Sequence, residues 1–225
     1  RKGLTTIYDK AEILSDNEDE WDILGQYTFK VLDALGIEYG AATTEVKYTL
    51  EKGAVLLETS GRLMGNSPLG LSYELAGFTQ LSLLIESYLS PNDFLSRFER
   101  PRFRPALHAM TVVLISNCEG VINKKIGSAF KNLKTLHSYN INEEIGSVIF
   151  NTVNSLTSPG ELYLLGTKKE LEEDYNKIRL IEEKLYHEIT KESSLVFSLF
   201  PSIDENVIQK LSKKESKLEA EQSLS

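Results

Sequence analysis

The stretch Thr43-Thr44-Glu45-Val46-Lys47-Tyr48-Thr49-Leu50-Glu51-Lys52-Gly53-Ala54-Val55-Leu56-Leu57-Glu58-Thr59-Ser60-Gly61-Arg62 decides how this chain is read. Its two flanks have the composition of β-strands, and Leu50-Glu51-Lys52-Gly53 between them is a turn signal, so a hairpin is expected. A two-residue loop at Glu51-Lys52, or a four-residue loop from Leu50 to Gly53, sets Glu45 opposite Glu58. Directly opposed Cβ atoms lie roughly 4.5–5.5 Å apart, and like charges so placed are destabilising unless something compensates them. A hard divalent cation that takes oxygen ligands from one or two carboxylates and from substrate phosphates is a natural compensation. A three-residue loop with Gly53 as a left-handed bulge would instead pair Glu58 with Val46 and separate the carboxylates onto opposite faces. Both registers are open at this level.

Arg62 extends the pattern. It follows the second acid in Glu58-Thr59-Ser60-Gly61-Arg62-Leu63-Met64-Gly65, at the glycine-containing end of a strand. A guanidinium there suits bidentate contact with phosphate or carboxylate. The plain alternative is a surface hairpin bearing two unrelated acids and a salt-bridging arginine.

Working outward, Trp21, Leu24, Thr28, Val31 and Leu35 recur at helical spacing behind the acidic segment Ser15 to Glu20, and Gly36 fits a left-handed cap. That helix is expected on the sheet carrying the glutamates, and a short strand is expected around Leu4 to Tyr8. Downstream, Gly65-Asn66-Ser67-Pro68-Leu69-Gly70 reads as a loop, with Asn66 and Ser67 able to touch a ligand or to cap the next helix. That helix, starting near Leu71 and carrying Leu75, Phe78, Leu81, Leu84, Ile85 and Leu89, reads as buried packing. Leu107 to Ser116, Gly120 to Lys124, Leu133 to Tyr139 and Gly160 to Gly166 read as short strands. Leu171, Tyr175, Ile178, Ile181, Leu185 and Ile189 then form the apolar stripe of an amphipathic helix over Lys168 to Glu192. Asp204 to Ser225, rich in Lys, Glu and Ser, reads as a frayed or disordered tail.

The order of these blocks resembles the ATP-grasp superfamily. Tyr27-Thr28-Phe29-Lys30-Val31-Leu32-Asp33-Ala34-Leu35-Gly36-Ile37-Glu38-Tyr39-Gly40, followed by Thr44-Glu45-Val46-Lys47 and Leu56 through Gly65, looks like the second half of an ATP-grasp domain. The likeness is to the dipeptide-forming L-amino-acid ligases. Ser158-Pro159-Gly160-Glu161-Leu162-Tyr163-Leu164-Leu165-Gly166 and Asp174 to Glu182 are similar to the small C-terminal subdomain and closing helix of those ligases.

The resemblance implies an α+β fold. Residues 1–105 would be the C-terminal half of the ATP-grasp domain, an antiparallel sheet flanked by helices that carries the metal site. Residues 106–192 would be a small β-rich subdomain with its closing helix, and 193–225 a charged tail. It also implies ATP and Mg²⁺ (or Mn²⁺) as cofactors, with Glu45 and Glu58 as metal ligands that also hold the nucleotide. Arg62 would be the catalytic cation at the transferring phosphoryl group or the substrate carboxylate; the turn-rich loop after it adds Gly65 and Asn66 as candidate substrate contacts. Many members of the superfamily have a metal-binding Asn two residues after the second acid; here that position is Ser60, so any contact of Ser60 with the metal stays open.

The implied reaction is ligation of a small-molecule carboxylate to an amine, amino acids being the expected pair. The runner-up is bicarbonate activation of the carbamoyl-phosphate or biotin-carboxylase type, and the alternative of another class is a catalytically silent binding module. Lysines and a glycine-rich loop that would clamp the nucleotide are not found upstream of Glu45. The chain is therefore expected to be partnered by an N-terminal half of the same protein and to show little activity alone.

Composition narrows the rest. The chain has 225 residues, 41% of them hydrophobic, enough for a sizeable core. A formal charge of −8 argues against a nucleic-acid groove, with Arg97, Arg100, Arg102 and Arg104 as a local exception read as a solvated loop. One cysteine, Cys118, excludes an internal disulfide and a multi-thiolate zinc site, and fits a cytoplasmic setting. No apolar run is long enough for a membrane span. His108, His137 and His187 show no metal-ligand spacing. Oligomeric state is open, a homodimer among the options.

Overall fold

A computed structural model describes residues 7–14, 19–65, 67–97, 107–141 and 145–199. Its order is β1 (Lys10–Glu12), α1 (Asp19–Leu35), β2 (Thr43–Thr49), β3 (Gly53–Ser60), α2 (Leu69–Ala76), α3 (Gln80–Leu89), α4 (Pro91–Ser96), β4 (His108–Val113), β5 (Gly120–Val121), β6 (Leu136–Ile141), β7 (Val148–Ile149), β8 (Gly160–Gly166) and α5 (Lys168–Leu199). The fold is α+β with antiparallel sheets flanked by helices.

The main sheet has the order β1-β4-β8-β6, all antiparallel. One face is covered by α5, whose Leu171, Ile178, Leu185 and Ile189 meet Met110, Val112, Leu162 and Leu164 in the core. The stripe expected over Lys168 to Glu192 is this packing face, and the helix runs on to Leu199. Two acids share the buried face. Asp174 accepts bonds from the Thr135 amide (2.7 Å), the Thr135 hydroxyl (2.9 Å) and the Lys177 ammonium (2.8 Å). Glu182 accepts from the Ile115 amide (2.6 Å) and the Arg179 guanidinium (2.5 Å). Their partners are what make such burial tolerable. On the other face Leu71 of α2 is buried with Ala109 and Tyr163.

Several expectations are corrected. The first strand is Lys10–Glu12, and it pairs with β4 (Lys10 opposite Val112), so a piece of residues 1–105 completes the sheet of the following segment. Ile7 and Tyr8 lie outside any strand, and Leu4 lies outside the described residues. The single helix expected from Leu71 to Leu89 is two. Gly77, at φ 74°, ends α2 in a left-handed cap, and Thr79 restarts the chain as the N-cap of α3. Nor is α3 a core helix, since Leu81, Ile85 and Leu89 are exposed and none of its residues is buried. Helical spacing marks an apolar face without saying what covers it. Pro68 occupies the N-cap of α2 and no side chain caps it there, which removes the capping role expected of Ser67; Asn66 lies outside the described residues. Arg97 pairs with Glu86 and stacks over Phe78, while Arg100, Arg102, Arg104 and the segment from Asp204 fall outside the described residues. Among the described residues no helix is long and apolar enough to cross a membrane.

The hairpin β2–β3 is a separate two-stranded sheet. Helix α1 lies against it, closed by Gly36 at φ 67° as expected, and the Leu56 amide donates to the Tyr27 hydroxyl of α1 (2.9 Å).

Candidate functional site

The turn of the hairpin matches none of the registers expected from the sequence. Thr49 pairs with Gly53, leaving Leu50-Glu51-Lys52 as the loop, with Gly53 at φ 67° and the Lys52 amide donating to the Thr49 hydroxyl (3.0 Å). Continued without interruption, that register would place Thr44 opposite Glu58. It is interrupted: the ladder shifts between Glu45 and Val46, so that Val46 faces Leu56 but Glu45 faces Glu58, with Leu57 as the extra residue on β3. A bulge of one residue returns the two glutamates to a shared position.

Side chains agree with the register beyond the bulge. Thr44 and Thr59, paired on one face, are 3.3 Å apart at their hydroxyls. On the opposite face lie the pair Glu45 and Glu58 and, beside them, the pair Thr43 and Ser60. The Ser60 hydroxyl donates to a carboxylate oxygen of Glu58 (3.0 Å), orienting it. Ser60 is thus attached to the acid pair through Glu58. Both glutamates are exposed, and neither forms a salt bridge among the described residues. No group of three or more His, Cys, Asp or Glu gathers among those residues, so the hairpin offers two carboxylates and leaves other ligand positions open to phosphates or water.

Arg62 sits just past this face. Its amide donates to the Ser60 carbonyl (2.9 Å), its carbonyl accepts from the Thr43 hydroxyl (2.9 Å), and Nη1 donates to the Leu63 carbonyl (3.0 Å). Gly65 comes near the same guanidinium: a Cβ there would lie 3.9 Å from Nη1. Two residues that sequence reasoning passes over also hold this loop. One is Thr43. The other is Gln80, whose side-chain amide accepts from the Met64 amide (2.9 Å) and donates to the Met64 carbonyl (2.8 Å). Neither carries a signal, since a strand threonine and a helix-start glutamine are ordinary. The carboxylate pair lies on an open surface. A cleft of about 410 Å³ on the α5 side is lined by Ile7, Asp9, Ile115, Asn117, Arg179 and Glu182 among others, and by none of Glu45, Glu58 and Arg62.

Known proteins share this arrangement of elements. The chain is 28% identical over 183 residues to dapdiamide A synthase of Enterobacter agglomerans, a match covering 80% of this chain and 43% of that protein. Among solved structures it is similar to an L-amino acid ligase from Bacillus licheniformis, with a TM-score of 0.64 and 17% identity over 80% of this chain and 44% of the other. It is also similar to phosphoribosylglycinamide synthetase from Anaerococcus prevotii, with a TM-score of 0.58 and 14% identity over 77% of this chain and 45% of the other. No family model matches. The fold is that of the C-terminal half of an ATP-grasp enzyme. The chain spans less than half the length of the relatives named.

Proposed function

We propose that this chain is the carboxylate-bearing half of an ATP-dependent ligase that joins a small-molecule carboxylate to an amine, an amino acid pair being the substrates the relatives' names favour. The observation that carries the reading is the pairing of Glu45 with Glu58 on one hairpin face, without a basic partner among the described residues, two residues from a loop that presents Arg62. Two carboxylates so placed repel each other in isolation and suit a divalent cation. In this role Glu45 and Glu58 hold Mg²⁺ (or Mn²⁺), which would supply charge neutralisation at the β- and γ-phosphates of ATP. Ser60 orients Glu58 through its hydroxyl.

Arg62 then supplies the cation for phosphoryl transfer. The γ-phosphoryl group of ATP passes to the substrate carboxylate, giving an acyl phosphate and ADP. The amine attacks the acyl carbon, the amide bond forms, and inorganic phosphate leaves with loss of a proton from nitrogen. Such chemistry rests on positioning and electrostatics and needs no nucleophilic side chain. Gly65 keeps space beside the guanidinium for substrate, and Asn66, next in the sequence, is proposed as a further substrate contact. The open surface around Glu45 and Glu58 fits a site completed by a nucleotide-clamping half of the same protein.

The test uses the complete protein, assayed for ADP release with amino acid pairs, with bicarbonate and with neither. Mg²⁺-dependent release that requires an amino acid pair and is abolished by Glu58→Gln supports the ligase. Release that follows bicarbonate instead moves the reading to carboxylate activation of that kind. Absence of any nucleotide response leaves only a binding module.

A further inference from the structure

We propose that Gln80 is a positioning residue of this site, fixing the loop that carries Arg62 by acting as a one-residue strand partner to Met64. The inference rests on the proposed role of Arg62 and adds what holds it. In an antiparallel ladder two residues exchange N–H and C=O bonds through their backbones. Here the Gln80 side-chain amide makes the same exchange with the Met64 backbone, accepting at 2.9 Å and donating at 2.8 Å. A primary amide carries its acceptor and its donor on two separate atoms, arranged as in a peptide group, so it can make both bonds side by side.

The platform for that amide is rigid. Gln80 is the first residue of α3, next to the N-cap Thr79. Thr79 and Ser82 form a reciprocal capping box, with the Ser82 amide donating to the Thr79 hydroxyl (3.0 Å) and the Thr79 amide to the Ser82 hydroxyl (2.8 Å). On the other side of the loop, the Thr43 hydroxyl holds the Arg62 carbonyl at 2.9 Å. The backbone of residues 62–64 is therefore anchored at both ends, once to the strand of Glu45 and once to α3. A two-sided anchor leaves the Arg62 side chain only its own rotamers to sample, which is the preorganisation that an anion-binding guanidinium needs. Beyond Gln80, Leu81, Ile85, Tyr88 and Leu89 of α3 are exposed and no residue of the helix is buried.

The experiment compares Gln80→Ala, Gln80→Met and Gln80→Glu in the full chain, with Arg62→Ala as reference. Hydrogen exchange at the Met64 amide is one readout, and binding of inorganic pyrophosphate with Mg²⁺, followed by calorimetry and by the Arg62 Nε signal, is the other. In the Ala and Met variants Met64 exchange is expected to accelerate by about tenfold, the factor corresponding to loss of one net hydrogen bond. The exchange of α3 amides stays as in the parent, and pyrophosphate binding weakens. Gln80→Glu, which keeps an acceptor for the Met64 amide but loses the donor, falls between the parent and Ala. Unchanged Met64 exchange overturns the clamp, whatever the ligand does. Accelerated exchange with pyrophosphate affinity sensitive to Arg62→Ala but not to Gln80 overturns the positioning role alone. Affinity insensitive to every variant overturns the role of Arg62, and the positioning role with it.

Discussion

Acids in this chain meet opposite electrostatic fates. Glu45 and Glu58 face each other on an open surface without a cation among the described residues, so each charge costs the other stability. Replacing Glu58 by Gln in metal-free buffer is expected to strengthen the hairpin by ~0.2–1 kcal/mol, read as slower hydrogen exchange of β2 amides. The same substitution is expected to weaken Mn²⁺ binding, followed by electron paramagnetic resonance, by about tenfold, or ~1.4 kcal/mol. Equal Mn²⁺ affinity in both proteins would overturn the proposed metal role of the carboxylate pair. Asp174 is the contrary case, an acid whose partners are all present. Burial works against its charge, but the Lys177 ammonium and the Thr135 amide and hydroxyl prevail and hold its pKa below the ordinary value. A folded-state pKa below the unfolded one means that the ionised carboxylate contributes stability above the unfolded value near ~4, and that the contribution drains away as pH falls through the folded value. Asp174→Ala should thus cost ~1–3 kcal/mol at neutral pH, where Thr135 loses its acceptor. Urea titrations at pH 7 and in acid should show the gap from the parent narrowing in acid. A gap independent of pH would contradict the depressed pKa.

Among elements, the strand β8 and the helix α1 carry glycines with opposite consequences. Gly160 opens β8 at φ 143°, and a Cβ there would lie 2.2 Å from the Asn140 carbonyl oxygen and 2.6 Å from the Ile141 Cα, both backbone atoms of β6. Backbone cannot step aside as a side chain can, so Gly160→Ala is expected to destabilise by ~3 kcal/mol or more, through strain and through loss of the β6–β8 pairing. Gly25, inside α1, has open space where a methyl group would sit, with no atom within 4 Å, and an ordinary φ, so Gly25→Ala should stabilise by up to ~1 kcal/mol through helix propensity. Thermal melts of the two variants should move in opposite directions. The elements also show what sequence can carry. The stripe from Leu171 to Ile189 and the stop at Gly36 are legible because periodicity and a left-handed cap are local. The pairing of Glu45 with Glu58 is legible as an outcome but not as a path. The turn sits one residue away from either loop that gives this pairing, and the bulge that restores it falls in Leu56-Leu57, where two apolar neighbours hide the break in alternation. The two residues of β7 are too few to show any period, and β1, Lys-Ala-Glu, has none of the apolar alternation that would mark it as a strand of the main sheet. The exposed face of α3 departs from expectation because spacing alone does not distinguish a covered stripe from an open one.

Across the whole molecule the buried core and the proposed metal site are set apart. Apart from Leu71, every buried hydrophobic side chain among the described residues lies between Ala109 and Ile189, in the main sheet, its connections and α5. Residues 19–65, which include the hairpin and α1, contribute none, and Trp21, Phe29 and Leu57 there are exposed. Apolar burial is the dominant favourable contribution to folding, so a part with no fully buried apolar side chain opens at lower cost. In native-state hydrogen exchange of the full chain, the amides of β2 and β3 are therefore expected to exchange through local opening, well before those of β4 and β8, whose exchange should require global unfolding. Mild denaturant should accelerate β4 and β8 steeply and the hairpin hardly at all, because local opening exposes little new surface. The proposed function adds a direction to this expectation. Mn²⁺ bound by Glu45 and Glu58 stabilises only the closed hairpin, so by mass action it should slow exchange in β2 and β3 while leaving β4 and β8 as they were. Uniform slowing across both sheets would instead mean that the hairpin and the main sheet unfold as one unit, and that the carboxylate pair is held by the core after all.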